Sequence, residues 1–118
     1  MINGSAHSRS SDLSLEFTIQ GELLTGAKVI AYFKPDLHMA DVLAIKKGSA
    51  LPLTGIVLTT ATDTRVVAVV TLTKEELTSL PNDVFFLFYD VKLIDSAGFT
   101  WQIENGRFGI NKTAKASA

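Results

Sequence analysis

Leu13-Ser14-Leu15-Glu16-Phe17-Thr18-Ile19-Gln20 alternates without a break: Leu13, Leu15, Phe17 and Ile19 are apolar, and every residue between them is polar. A period of two puts the two sets on opposite sides of an extended chain, so the stretch predicts a strand with one face buried and the other in water. Gly21 closes it. Leu24-Thr25-Gly26 then turns the chain into a second strand over residues 27–34, stopped by Pro35-Asp36.

Further along, the same reading continues. Residues 39–45 are mostly apolar and fit either a strand or one and a half helical turns; a strand is favoured, with Lys46-Lys47-Gly48-Ser49 as the turn after it. Residues 55–62 and 64–72 are rich in Val, Leu and Thr, and Asp63 between them predicts a β-hairpin. Thr73-Lys74-Glu75-Glu76 fits a capping box, with Thr73 at the N-cap and Glu76 at the third helical position. The helix it starts is held to one or two turns by Leu80-Pro81-Asn82-Asp83. Residues 83–94 predict the longest strand, Asp95-Ser96-Ala97-Gly98 a turn, and residues 99–104 a strand pairing back, with Phe99, Trp101 and Ile103 on one face. Asn105-Gly106 suits a bulge before the strand resumes at 107–110. Seven or eight short strands with one short capped helical turn predict an all-β sandwich, with a small open β-barrel as the alternative.

The chain of 118 residues is one domain by size. Residues 1–11 and 111–118 are polar, small and without period, so they predict flexible arms around a domain at 12–110. The net charge is −1, with Lys and Arg scattered, which leaves no electrostatic footprint for nucleic acid. There is no cysteine, so disulfides and thiolate chemistry are excluded. No apolar run approaches the ~18 residues of a membrane-spanning helix. Charged residues make up 19%, under the usual ~25%, a shortage of polar surface that points to part of the outside being covered in use.

Several strands are apolar on both faces, more than one inward face requires. In residues 27–34, Ile30 and Tyr32 oppose Val29, Ala31 and Phe33; in residues 83–94, Val84, Phe86 and Phe88 oppose Phe85, Leu87, Tyr89, Val91 and Leu93. Two explanations compete. Leu77, Leu80, the 37–53 segment and the arms fold over the second face, or that face is a subunit interface built on Tyr32, Val84, Phe86 and Phe88.

Chemistry finds no anchor. His7 and His38 read as solvated, no His/Asp/Glu spacing predicts a metal site, and Glu75-Glu76 is better explained as a helix start than as an acid–base pair. No Gly-x-Ser-x-Gly elbow occurs, and Gly106-Arg107-Phe108-Gly109 lacks the helix and Lys of a phosphate loop. Trp101, Phe99 and Tyr89 could form a stacking platform for sugars, but their alternation with polar residues predicts core positions first. The expectation is a non-enzymatic protein without cofactor or metal.

Read together, residues 12–17, 24–29, the run from Val70 through Leu77 to Asp83, and residues 89–95 before Glu104-Asn105-Gly106-Arg107-Phe108-Gly109-Ile110 resemble a known group. The order is similar to small immunoglobulin-like β-sandwich proteins of tailed-bacteriophage virions, of the head-decoration, neck and baseplate-attachment kinds. The likeness spans about 100 residues through short motifs, and residues 37–53 match nothing in it. It implies an immunoglobulin-like sandwich located in the virion. It also implies partners among other virion structural proteins, or further copies of the chain, and a role as capsid decoration, neck or tail adaptor. A carbohydrate-binding or adhesin-like module is the alternative.

Overall fold

The alternation at the start of the domain forms β1 (Leu13–Gln20), with Leu15, Phe17 and Ile19 buried and the polar residues between them exposed. The computed structural model describes residues 11–36, 38, 44–80 and 84–110. The chain continues through β2 (Lys28–Lys34), β3 (Ile45–Gly48), β4 (Ile56–Ala61), β5 (Arg65–Leu72), the short helix α1 (Lys74–Thr78), β6 (Phe86–Ile94) and β7 (Thr100–Gly109). Two antiparallel sheets result, one ordered β1-β5-β4 and the other β3-β2-β6-β7. They face each other as a sandwich. Among the described residues only an isolated bridge between Gly48 and Gly55 links their edges, and no barrel closes.

This order is the immunoglobulin arrangement, in which one sheet reads A-B-E-D and the other C-F-G. Here β1, β5 and β4 stand in the places of B, E and D, while β2, β6 and β7 stand in those of C, F and G, with β3 added beside β2. Among the described residues no strand occupies the place of A, so β1 is an edge.

The core is built by the inward set of each strand. Val29, Ala31 and Phe33 are fully buried, as are Ala68, Val70 and Leu72, and Leu87 and Val91 on β6. Each large apolar side chain so buried contributes about 1.5–3 kcal/mol relative to exposure. Phe17, Tyr89, Phe108 and Phe33 form an aromatic chain through the middle, with ring centroids 5.8–6.3 Å apart. Leu77 of α1 is fully buried, so the helix closes one end of the sandwich instead of lying over an outer face.

The capping box forms as read: Glu76 N–H donates to Thr73 Oγ1 (3.2 Å), and Thr73 N–H donates to Glu76 Oε1 (2.9 Å). The hairpin β4–β5 and the turns at Leu24-Thr25-Gly26 and Asp95–Gly98 also form. In each turn a glycine at φ +81° or +92° takes a backbone conformation that a Cβ disfavours.

Four readings are corrected. Lys46-Lys47-Gly48 is strand β3 and not a turn, because an edge strand of four residues tolerates lysines once the inward one finds a partner. The bulge lies at Ile103, where the β6–β7 register skips between Val91↔Glu104 and Lys92↔Gln102, and not at Asn105-Gly106. β7, with ten residues, outlasts β6, with nine. Phe99 and Trp101 are exposed, at 66% and 57%, because β7 is an edge whose inner side is only partly covered by the opposite sheet. Residues 1–10 of the expected arm 1–11, the expected arm 111–118, residues 39–43 of the expected strand 39–45, the breaker residues Pro81-Asn82-Asp83 and His7 lie outside the described residues.

Candidate interaction surface

Cross-strand neighbours point to the same side of a sheet, so the register fixes what the outer face of β3-β2-β6-β7 presents. Lys34 pairs with Phe88 and Phe88 with Arg107; Tyr32 pairs with Lys46 and with Asp90, and Asp90 with Asn105. Phe86 follows on the same side of β6, opposite Gly109. Tyr32, Phe86 and Phe88 are thus brought onto one outward face. Phe86 is 43% exposed and the other two half-buried. Val84 does not join them; it is half-buried and packs against the core.

This face is aromatic and cationic rather than purely apolar. The Arg107 guanidinium lies 4.5 Å from the centroid of the Phe86 ring and Lys92 Nζ lies 5.5 Å from that of Tyr32, positions where the ring quadrupole attracts a cation. Asp90 pairs with Lys92 at 3.7 Å. A depression of about 430 Å³ opens between Tyr32, Lys34, Phe88 and Arg107. Arg107 was not legible as part of the surface, because its side of the sheet depends on where the bulge falls.

The inner side of β7 carries a second feature. Trp101 pairs with buried Leu93, yet its ring stands open, and its indole Nε1–H donates to Asp95 Oδ2 (2.9 Å). Asp95 also accepts from the backbone N–H groups of Ala97 and Phe99, and these hydrogen bonds, that from Trp101 first, hold its carboxyl below the usual range. The turn residue therefore orients the ring. Nearby, Tyr89 O–H donates to Glu104 Oε2 (2.8 Å), and burial followed by that carboxylate pushes the phenol up to about 12. Gly106 opposite it has a steric reason: a Cβ there would stand 2.9 Å from Tyr89 Oη.

His38 is exposed, with its backbone N–H donating to Asp36 Oδ1. Among the described residues no group of three His, Asp or Glu could hold a metal ion, and no helix is long and apolar enough to cross a membrane. Compared with known proteins, the sequence matches no family model and no curated protein.

Proposed function

We propose that the chain is a non-enzymatic structural component of a phage particle, docking on a larger assembly through the outer face of β3-β2-β6-β7. The observation that carries the docking is the gathering of Tyr32, Phe86 and Phe88 on one outward face with Arg107 and Lys34 beside them. Aromatic residues and arginine are the types enriched at the centres of protein interfaces, and their cations suit a partner surface bearing carboxylates. The virion setting rests on the sequence resemblance alone. The test is pull-down and light scattering with the structural proteins of a candidate particle: retention by capsid or tail proteins that is lost in Phe86→Ser supports the reading. A chain that stays monomeric and ignores all of them sinks it.

A second reading, a carbohydrate-binding module, gains support from Trp101, whose ring is 57% exposed and fixed by Asp95. Rigid exposed aromatics are the rings on which sugars stack. A glycan titration that shifts Trp101 emission favours it; emission indifferent to every glycan dismisses it.

A further inference from the structure

The registers of β2, β3, β6 and β7 place five cations on the outer side of their sheet, Lys28, Lys34, Lys46, Lys92 and Arg107, against one carboxylate, Asp90. The chain as a whole carries −1 and its 11 Lys and Arg are scattered along the sequence, so it is the fold that makes this face positive. Among the described residues Lys28, Lys46 and Arg107 have no ion pair, and Asp90 is already met by Lys92 and Gln102. Such a face attracts an anionic partner and repels a basic one.

Two rows of side chains wall the depression of about 430 Å³. Lys34, Phe88 and Arg107 form one row; Tyr32, Asp90 and Asn105 form the other. Rows two residues apart along a strand stand about 7 Å from each other. The floor between them is the backbone of Gly106 and of Tyr89, whose ring points into the core. One wall offers cations and an apolar ring. The other offers hydrogen-bond acceptors, with the Asn105 side-chain amide unengaged among the described residues.

A peptide fits both walls. An acidic side chain brings oxygens to the cations, and backbone N–H groups beside it bring donors to Asp90 and Asn105. A nucleic-acid strand fits worse. Its phosphates carry acceptors and no donors, so Asp90 meets only like charge. The rings on which bases would stack already have cations over them, Arg107 over Phe86 and Lys92 over Tyr32. Arg107 is the best prepared of the five. Contact with the Phe86 ring at 4.5 Å steadies the guanidinium without using an N–H, which leaves its fork for the two oxygens of a carboxylate.

We propose that the docking partner presents an acidic peptide segment, one of whose Asp or Glu carboxylates enters this depression and is held by the Arg107 guanidinium, with Lys34 beside it. The contact presupposes the docking reading and names the chemistry of the partner.

Titration of the full chain with a peptide alternating Glu and Ser, with its Gln counterpart and with an oligothymidylate of equal charge tests this, read by the NMR shifts of backbone amides and arginine side chains. Expected is binding of the Glu peptide with a Kd under about 1 mM at low salt. The shifts should centre on Phe88, Asn105 and Arg107 and leave the Trp101 indole, on the opposite side of β7, unmoved. Added salt should weaken the binding, and the Gln peptide should not bind. Arg107→Gln should lose about tenfold or more, and Arg107→Lys, which keeps the charge without the fork, should recover only part of it. The same spectra show whether each variant is folded. A Glu peptide that does not bind, or that shifts another region, overturns the proposal. So does undiminished binding by Arg107→Gln, full recovery by Arg107→Lys, or tighter binding of the oligothymidylate. Binding that appears only in Asp41→Asn also overturns it, since the occupant is then the chain's own loop. The docking reading fails separately. A particle protein held through Phe86 and indifferent to Arg107→Gln leaves the docking standing and removes the carboxylate contact. A Glu peptide held by Arg107 with no particle protein retained does the reverse.

Discussion

The Nζ of Lys47 lies 2.7 and 2.8 Å from the two carboxylate oxygens of Glu76, tying the edge strand β3 to helix α1. Lys47 pairs with fully buried Ala31, so it points inward and is only 7% exposed, while the side chain of Glu76 keeps about a third of its surface in water. Glu76 does double duty, since Oε1 also accepts the N–H of its own helix cap, Thr73. The consequences for the two partners are unequal.

Glu76→Ala leaves a buried ammonium unpaired and removes the capping box. The cost expected is ~2–4 kcal/mol, the lower part of the range for broken buried pairs because Glu76 is partly solvated. Lys47→Met leaves a carboxylate that water and Thr73 still serve, and costs about 1 kcal/mol or less. Urea denaturation of the two variants reads the difference, and equal losses would contradict the assignment.

Acid unfolding should show the same pair. Burial pushes the Glu76 carboxyl up, but hydrogen bonds from Lys47 and Thr73 outweigh it and leave it below 4.5. A carboxyl whose folded value is depressed stabilises above its unfolded value and loses that contribution as pH falls through the folded one. Stability should therefore decline below about pH 4.5, and Lys47→Met should flatten that decline.

Alkali acts on Tyr89. Its phenol is raised from 10.0 to about 12, so the folded state holds a proton that the unfolded chain releases first. Stability is complete below pH 10 and falls as pH rises toward 12. Tyrosinate absorbance should show one of the two tyrosines ionising late. Tyr89→Phe should abolish the late step and cost about 1 kcal/mol at neutral pH, the net worth of the Glu104 hydrogen bond.

Leu23 sits 75% exposed at φ +58°, where a Cβ costs ~1–2 kcal/mol. Leu23→Gly relieves that strain at an entropic cost of roughly 0.5–1 kcal/mol. A gain of about 0.5 kcal/mol is expected in thermal melts, and a loss would mean that the exposed leucine packs on something.

Phe86→Ser should cost about 1–2 kcal/mol of folding stability, since its ring is more than half buried and holds the Arg107 cation, and Arg107→Ala about 0.5–1 kcal/mol. In a complex, each should weaken docking about tenfold or more, as centres of interfaces do. Melting curves and binding measured on the same preparations separate the two effects.

Much of the fold was legible because its strands announce themselves locally. The fault-free alternation of β1, the Val-rich hairpin β4–β5 and the Thr73/Glu76 box each encode their structure within a few residues. What stayed hidden depends on distant partners. Lys47 reads as turn material until Glu76, far along the chain, accepts its charge. The alternation of Phe99, Trp101 and Ile103 looks like a core face, and only the sheet order, with β7 at an edge, leaves two of those rings in water. Tyr32, Phe86 and Phe88 were readable as outward-facing, whereas Val84 was not readable as packing against the core, because it precedes β6 and the alternation of the strand does not govern it.

Asp12 accepts a hydrogen bond from Lys74 N–H at 2.8 Å, and Ile110 N–H donates to Phe85 O at 2.8 Å, so the chain enters and leaves the sandwich beside α1. The turns at 21–27, 62–64 and 95–99 gather at the far end. The domain is accordingly a pendant hung from one pole, and the opposite tip offers three neighbouring places where a grafted peptide would be displayed outward.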